Sequence, residues 1–190
     1  NVLECGKISE CENGSEFHNI QRINNELEHD NLMSYDKLLT CPAEQVWTSL
    51  IQGYVNIEHY ECAFALFLTM QRKAVNPSIS TLQPLLKACA RTKWFVYGLQ
   101  LHLLIIHLDH ETKIYVAITL IDMYAKCDML LEAKDVFDEM HVRNVVSWNA
   151  LLSGYVNHGL FQEALNCYDK MKLDAIAPDT FTFLSVLKAR

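Results

Sequence analysis

The chain has 190 residues, 51% of them apolar, seven cysteines and a net charge of −7. Such a composition can bury a sizeable core and argues against wholesale disorder; the longest apolar runs, such as 99–108, are broken by Gln100, His102 and His107 and fall short of the roughly 18 residues a bilayer span needs. The cysteines at 5, 11, 41, 62, 89, 127 and 167 form no CxxC pair and have no clustered histidine partner, which argues against a zinc site.

The charge is uneven. Residues 1–43 hold eight acids against three bases, leaving 15 against 13 in the rest, so the larger part of the chain is close to neutral. Neutrality is compatible with nucleic-acid binding but predicts weak non-specific affinity. Residues 1–43 have weak helical periodicity around Ile20–Leu27 and read as a degenerate copy of the repeat that begins at residue 44, a linker, or disorder.

From Trp47 onward the chain repeats itself. Trp47, Leu50, Gly53, Tyr54, Val55, Asn56, Ala63, Met70, Pro77, Thr81 and Lys87 meet identical residues 101 positions later, at Trp148, Leu151, Gly154, Tyr155, Val156, Asn157, Ala164, Met171, Pro178, Thr182 and Lys188. A shorter period lies inside this one, because small residues fall at Ala63, Gly98, Ala133 and Ala164 and leucines at Leu50, Leu85, Leu120 and Leu151, spaced 35, 35 and 31. Periods of this size mark stacked repeats. The register gives copies at 44–78, 79–113, 114–144 and 145–179, with 180–190 opening a fifth. A chain running from Asn1 to Arg190, eleven residues into a new copy, reads as a fragment.

Each copy is predicted to be a helical hairpin. In 145–157 the apolar residues Val145, Trp148, Leu151, Leu152, Tyr155 and Val156 recur at helical spacing, and 160–173 repeats the pattern with Ala164, Leu165, Cys167, Tyr168 and Met171. His158-Gly159 supplies the stop between them. Pro178 closes the copy, and Asp179 is placed to cap the next helix. Helices this short draw their stability from packing, and the small residue early in each second helix is expected to let the two helices of a hairpin approach. Trp47 and Trp148 follow the apolar spacing and are assigned to hairpin packing rather than to exposed stacking. Cys62, Cys89, Cys127 and Cys167 fall in helical stretches and read as free, small hydrophobes in a reducing setting.

In the run VVSWNALLSGYVNHGLFQEALNCYDKMKLDAIAPD at 145–179, in TLIDMYAKCDMLLEAKDVFDEMHVRNV at 119–145 and in LLKACARTKWFVYGLQLH at 85–102, the chain resembles the plant pentatricopeptide repeat family, in the PLS subfamily that alternates 35-residue, long and short repeats. The resemblance covers about 44–190. One departure is a long copy of 35 residues in place of the usual 36. The family implies an all-α fold, a right-handed superhelical solenoid of helix-turn-helix repeats, that binds single-stranded RNA at one base per repeat. It also implies a mitochondrial or chloroplast setting, a transcript site specified for C-to-U editing or other processing, and editing-complex proteins as further partners.

The resemblance also implies site residues. A base is read by the fifth residue of a repeat with the last, here Asn149 with Asp179, a combination that in the family favours uridine. An amide can donate to and accept from a base edge, and a carboxylate can orient it. In the first copy Thr48 with Ser78 resembles the purine-favouring class without its usual final Asn or Asp. Gln83 with Lys113 matches no firm rule, and Ile118 stands where an Asn is expected beside Asn144. Val146 and Phe181 are placed to sandwich the base read by Asn149, and Arg91 and Lys126 to contact phosphate. Plainer readings stand beside these: Asn149 as an ordinary surface amide, Asp179 as an N-cap alone, Arg91 and Lys126 as complements to helix dipoles.

His102, His107 and His110 have no acidic or thiol partner at ligand spacing and read as structural. No cofactor is implied. No HxE with CxxC, no GxSxG and no phosphate loop occurs, so the segment itself reads as non-enzymatic, with any deaminase-like domain lying elsewhere. The rival class is a protein-binding scaffold of the tetratricopeptide kind, disfavoured by the unequal repeat lengths.

Overall fold

The structure, a computed structural model, describes residues 44–109 and 113–189. The expectations for 1–43 and for His110 lie outside the described residues. Within these limits every regular element is helical: α1 Glu44–Asn56, α2 Tyr60–Arg72, α3 Ile79–Thr92, α4 Phe95–His107, α5 Ile114–Lys126, α6 Leu130–Glu139, α7 Val145–Asn157, α8 Phe161–Leu173 and α9 Thr180–Lys188.

Each odd-numbered helix pairs with the helix after it, and the hairpins stack in two layers. The odd-numbered helices pack in succession, α1 on α3, α3 on α5, α5 on α7 and α7 on α9, while each even-numbered helix rests on its own partner and on the first helix of the next hairpin. The core lies between the layers. Trp47, Ile51, Leu82, Leu86, Leu120, Ile121 and Leu152 meet Phe64, Met70, Leu101, Ile105, Phe137 and Met171 there, all buried. Burial of this order stabilises by roughly 1.5–3 kcal/mol for each large side chain, which short helices cannot supply alone.

The corners are set by backbone conformation. Glu58, Lys93, Asp128 and Gly159, at spacings of 35, 35 and 31, all have positive φ, between 58° and 71°, and turn each first helix into its second. Only the last is the glycine that this conformation favours. Ala74, Asp109 and Ala175 adopt the same conformation between hairpins. The third hairpin lacks that second corner: α6 has 10 residues where α2, α4 and α8 have 13, and Met140 leaves it in an extended conformation. Of the four-residue deficit of the short copy, three residues are missing from its second helix and one from the connector that follows.

Ala63, Ala133 and Ala164 have no exposed surface, and Gly98 is buried with them. At Gly98 the close approach is to the next hairpin, not to the partner helix as expected: a Cβ there would lie 2.6 Å from Sδ of Met123 on α5. Trp47 and Trp148 are buried, and Trp148 packs edge-on against Phe137 at 4.6 Å between ring centres. The imidazole of His102 is packed beside Tyr124, whose hydroxyl lies 2.8 Å from Nδ1, and burial lowers its pKa below the ordinary 6.5. The neutral imidazole shares this hydrogen bond with the Tyr124 hydroxyl, a structural role. His107 is exposed.

Of the four cysteines described, Cys89, Cys127 and Cys167 are buried but Cys62 is exposed, because it sits on the outer face of α2 beside the buried Ala63 and Phe64. Cys127 caps the end of α5 rather than lying inside it. Burial pushes the Cys167 thiol up to about 12, and that of Cys89 higher still. Neither is a nucleophile at neutral pH.

Candidate nucleic-acid interface

Asn149 stands on the second turn of α7, and Asp179 ends the connector that leads into α9. The extended Asp179 backbone makes it the N-cap of α9, where its Oδ1 accepts from the Thr182 N–H at 2.9 Å and its own N–H donates to Thr182 Oγ1 at 3.2 Å. The same Oδ1 accepts from Asn149 Nδ2 at 2.9 Å, and Thr182 Oγ1 donates to Asn149 Oδ1 at 2.6 Å. The Asn149 amide is therefore oriented at both ends, with one N–H and one Oδ1 lone pair left for a ligand. These hydrogen bonds, that of the Thr182 N–H first and the Asn149 amide next, hold the Asp179 carboxyl below its ordinary range. The capping and pairing roles of Asp179 coexist.

This junction opens on a cleft of about 750 Å³ whose walls include Val146, Asn149, Asp179, Phe181, Lys87, Lys93 and Lys126. Val146 is 51% and Phe181 72% exposed, so both apolar faces are open to a planar ligand. Ile118 also lines the cleft and offers no polar group. The amide of Asn144 is used locally: it caps α7 by accepting from the Ser147 N–H at 2.9 Å.

In the first hairpin Thr48 and Ser78 do not touch directly but are joined through Glu44. Its Oε1 accepts from Ser78 Oγ at 2.6 Å and lies 2.9 Å from both Thr48 Oγ1 and Thr81 Oγ1, which stand 2.7 Å apart, so the two threonine protons are shared among these three contacts. The bond from Ser78, more than any other, keeps the Glu44 carboxyl below its usual range.

Arg91 and Lys126 are exposed, and each has a carboxylate of its own. Arg91 pairs with Glu58 at 2.9 Å and Lys126 with Asp122 at 2.7 Å. Lys126 lines the cleft; Arg91 does not. Lys93 reaches Asp128 at 2.8 Å, and Asp128 reaches His158 Nε2 at 2.8 Å, a string across three successive hairpins. Gln83 is half-buried in α3, and Lys113 is the N-cap residue of α5.

Three contributors were not assigned from sequence. Thr182 was visible as one half of the Thr81/Thr182 identity, without a role. Glu44 had no signal, since its counterpart 101 residues on is Val145. The Lys93, Asp128 and His158 string depends on corners that non-glycine residues do not advertise. Among the described residues no cluster of three His, Cys, Asp or Glu could hold a metal, and no helix is long and apolar enough to cross a membrane.

Stacked helical hairpins with a hydrogen-bonded polar junction between successive first helices define a helical-repeat solenoid. The PPR repeat family matches residues 42–91 and 143–189, and the PPR repeat matches 118–145, so the chain belongs to the pentatricopeptide repeat family. Among its relatives in Arabidopsis thaliana, Pentatricopeptide repeat-containing protein At4g30700 is 41% identical over 75% of this chain and 18% of its own length. The mitochondrial At1g06140 is 37% identical over 76% of this chain and 26% of its own, and the chloroplastic At4g25270 is 38% identical over 74% and 27%. The chain thus spans about a quarter or less of these relatives. In fold it is similar to the crystal structure of the pentatricopeptide repeat protein PPR10 in complex with an 18-nt psaJ RNA element, with a TM-score of 0.71 and 22% identity over 90% of this chain and 26% of that one. PPR10 from maize gives a TM-score of 0.67 at 22% identity, over 90% and 25%.

Proposed function

We propose that this chain is a sequence-specific, single-stranded RNA-binding module of the PLS type, acting in a mitochondrion or chloroplast. In this reading the copies are 44–78, 79–113, 114–144 and 145–179, each presenting one base-reading junction. Asn149 and Asp179 read a base, with uridine preferred, and Val146 and Phe181 enclose it. Thr48 and Ser78 mark the junction of the first copy, and Arg91 and Lys126 exchange their carboxylate partners for RNA phosphates.

The observation that carries the proposal is the oriented Asn149 amide, fixed by Asp179 and Thr182 beside a cleft walled by Val146 and Phe181. An amide that only faces solvent has no need of two fixed partners. The 18-nt psaJ RNA element in complex with PPR10 and the mitochondrial and chloroplastic names of relatives support the same reading. The whole protein, in this proposal, specifies a transcript site for C-to-U editing or related processing, with catalysis supplied by another domain or by editing-complex proteins.

Binding isotherms against RNAs that differ at single positions test it. Asn149→Ala is expected to lose discrimination, by about 1–3 kcal/mol, at one RNA position and to leave the others unchanged. A uniform loss over all RNAs overturns the assignment.

A further inference from the structure

The first hairpin and the fourth build their junctions from different sequence positions. At the fourth, the carboxylate is that of Asp179, the last residue of its copy. At the first, the corresponding residue is Ser78, and the carboxylate comes from Glu44, four residues before Thr48 on α1. Its Oε1 is the shared acceptor of Thr48, Ser78 and Thr81, as Asp179 Oδ1 is of Asn149 Nδ2 and the Thr182 N–H. At Glu44 these hydrogen bonds all fall on Oε1, and in both junctions the residue that carries the carboxylate is only half-buried.

We propose that Glu44 is the specificity-determining acceptor of the first junction and that, with Thr48, it selects guanine. This rests on the RNA-binding function proposed for the chain. A carboxylate accepts and cannot donate. On its pairing edge adenine sets the N1 lone pair beside its amino group, cytosine sets N3 beside its own, and uracil flanks its single N–H with two carbonyls. Each places a lone pair against the anion. Guanine alone presents two adjacent donors, N1–H and the N2 amino group. Thr48 also reaches one atom less far than Asn149, which leaves room for the larger ring. Ser78, the residue that register alone would select, serves as a donor that holds Glu44 in place.

The test is selection of the chain against a pool of randomised single-stranded RNA, read by sequencing, for the wild type, Glu44→Gln and Asn149→Ala. The wild type is expected to enrich guanine three nucleotides from the position governed by Asn149, since three hairpins separate the two junctions at one base each. Glu44→Gln should lower the guanine preference roughly tenfold or more while keeping the Asn149-dependent preference, which also shows that the variant is folded. An unchanged guanine preference in Glu44→Gln, or a base other than guanine at that position, overturns the assignment of Glu44. Absence of enrichment at every position, with Asn149→Ala indistinguishable from the wild type, overturns the RNA-binding reading and this inference with it.

Discussion

Asp179 performs two tasks with one oxygen. Its Oδ1 closes the N-terminus of α9 through the Thr182 N–H and fixes the Asn149 amide on α7, so it couples the capping of one helix to the orientation of a side chain on another. Because these bonds favour the charged form, its folded pKa lies below the ordinary 3.8. The stability it contributes is therefore fully present above that ordinary value and is lost as pH falls through the lowered one. Asp179→Asn removes the charge but keeps the shape. Thermal melts from neutral pH down to about pH 2 are expected to show the wild type more stable than Asp179→Asn at neutral pH, with the gap closing only on acidification below the ordinary carboxylate range. A gap that stays constant with pH would assign the difference to shape rather than charge. Asn149 and Asp179 were legible in sequence because the register numbers them. Thr182 was visible as an identity without a role, and Glu44 was not visible at all, since a one-dimensional register cannot show that a side chain from position 44 reaches a junction numbered 48 and 78.

At the scale of elements, helix bounds followed the apolar spacing closely. The stretch 145–157 is α7 as expected, and α8 begins at Phe161, one residue after the expected start. The corners were less legible, since of Glu58, Lys93, Asp128 and Gly159 only the glycine signals a positive φ. Contacts between hairpins escaped as well: Gly98 makes room for Met123 from the next hairpin, a neighbour 25 residues away that periodicity does not name. Ala164 is fully buried on α8 at the equivalent position. Ala164→Leu is expected to cost about 1–3 kcal/mol through overpacking. Urea unfolding followed by helical circular dichroism measures this, and an unchanged midpoint would remove Ala164 from the tight interface.

At the scale of the whole molecule, stacking makes each hairpin the support of the next, and the charge that remains for a nucleic acid is small. Lys87, Lys93 and Lys126 line the cleft, and two of these already face carboxylates, Asp128 and Asp122. A single strand loses about 0.7 of a unit of log K per decade of salt for each phosphate neutralised. The two proposed contacts, Arg91 and Lys126, give a slope of about −1.4. Titrations at a series of potassium chloride concentrations should return a slope that shallow, and Lys126→Ala should roughly halve it without altering which RNA is preferred. A slope several times steeper would show that unassigned cations dominate the contact.

The shortening of α6 by three residues has a mechanical consequence. The layer of odd-numbered helices runs through the third hairpin unbroken, α5 on α3 and α7 on α5, but the layer of even-numbered helices is three residues short there. A recess of about 720 Å³ lined by Ile106, Val136, Met140 and Val142 opens at that point. The third hairpin has the least second-helix material holding it, so it is expected to deform most readily; amide hydrogen exchange that is faster in α6 than in α2, α4 and α8 would show this, and equal protection would count against it.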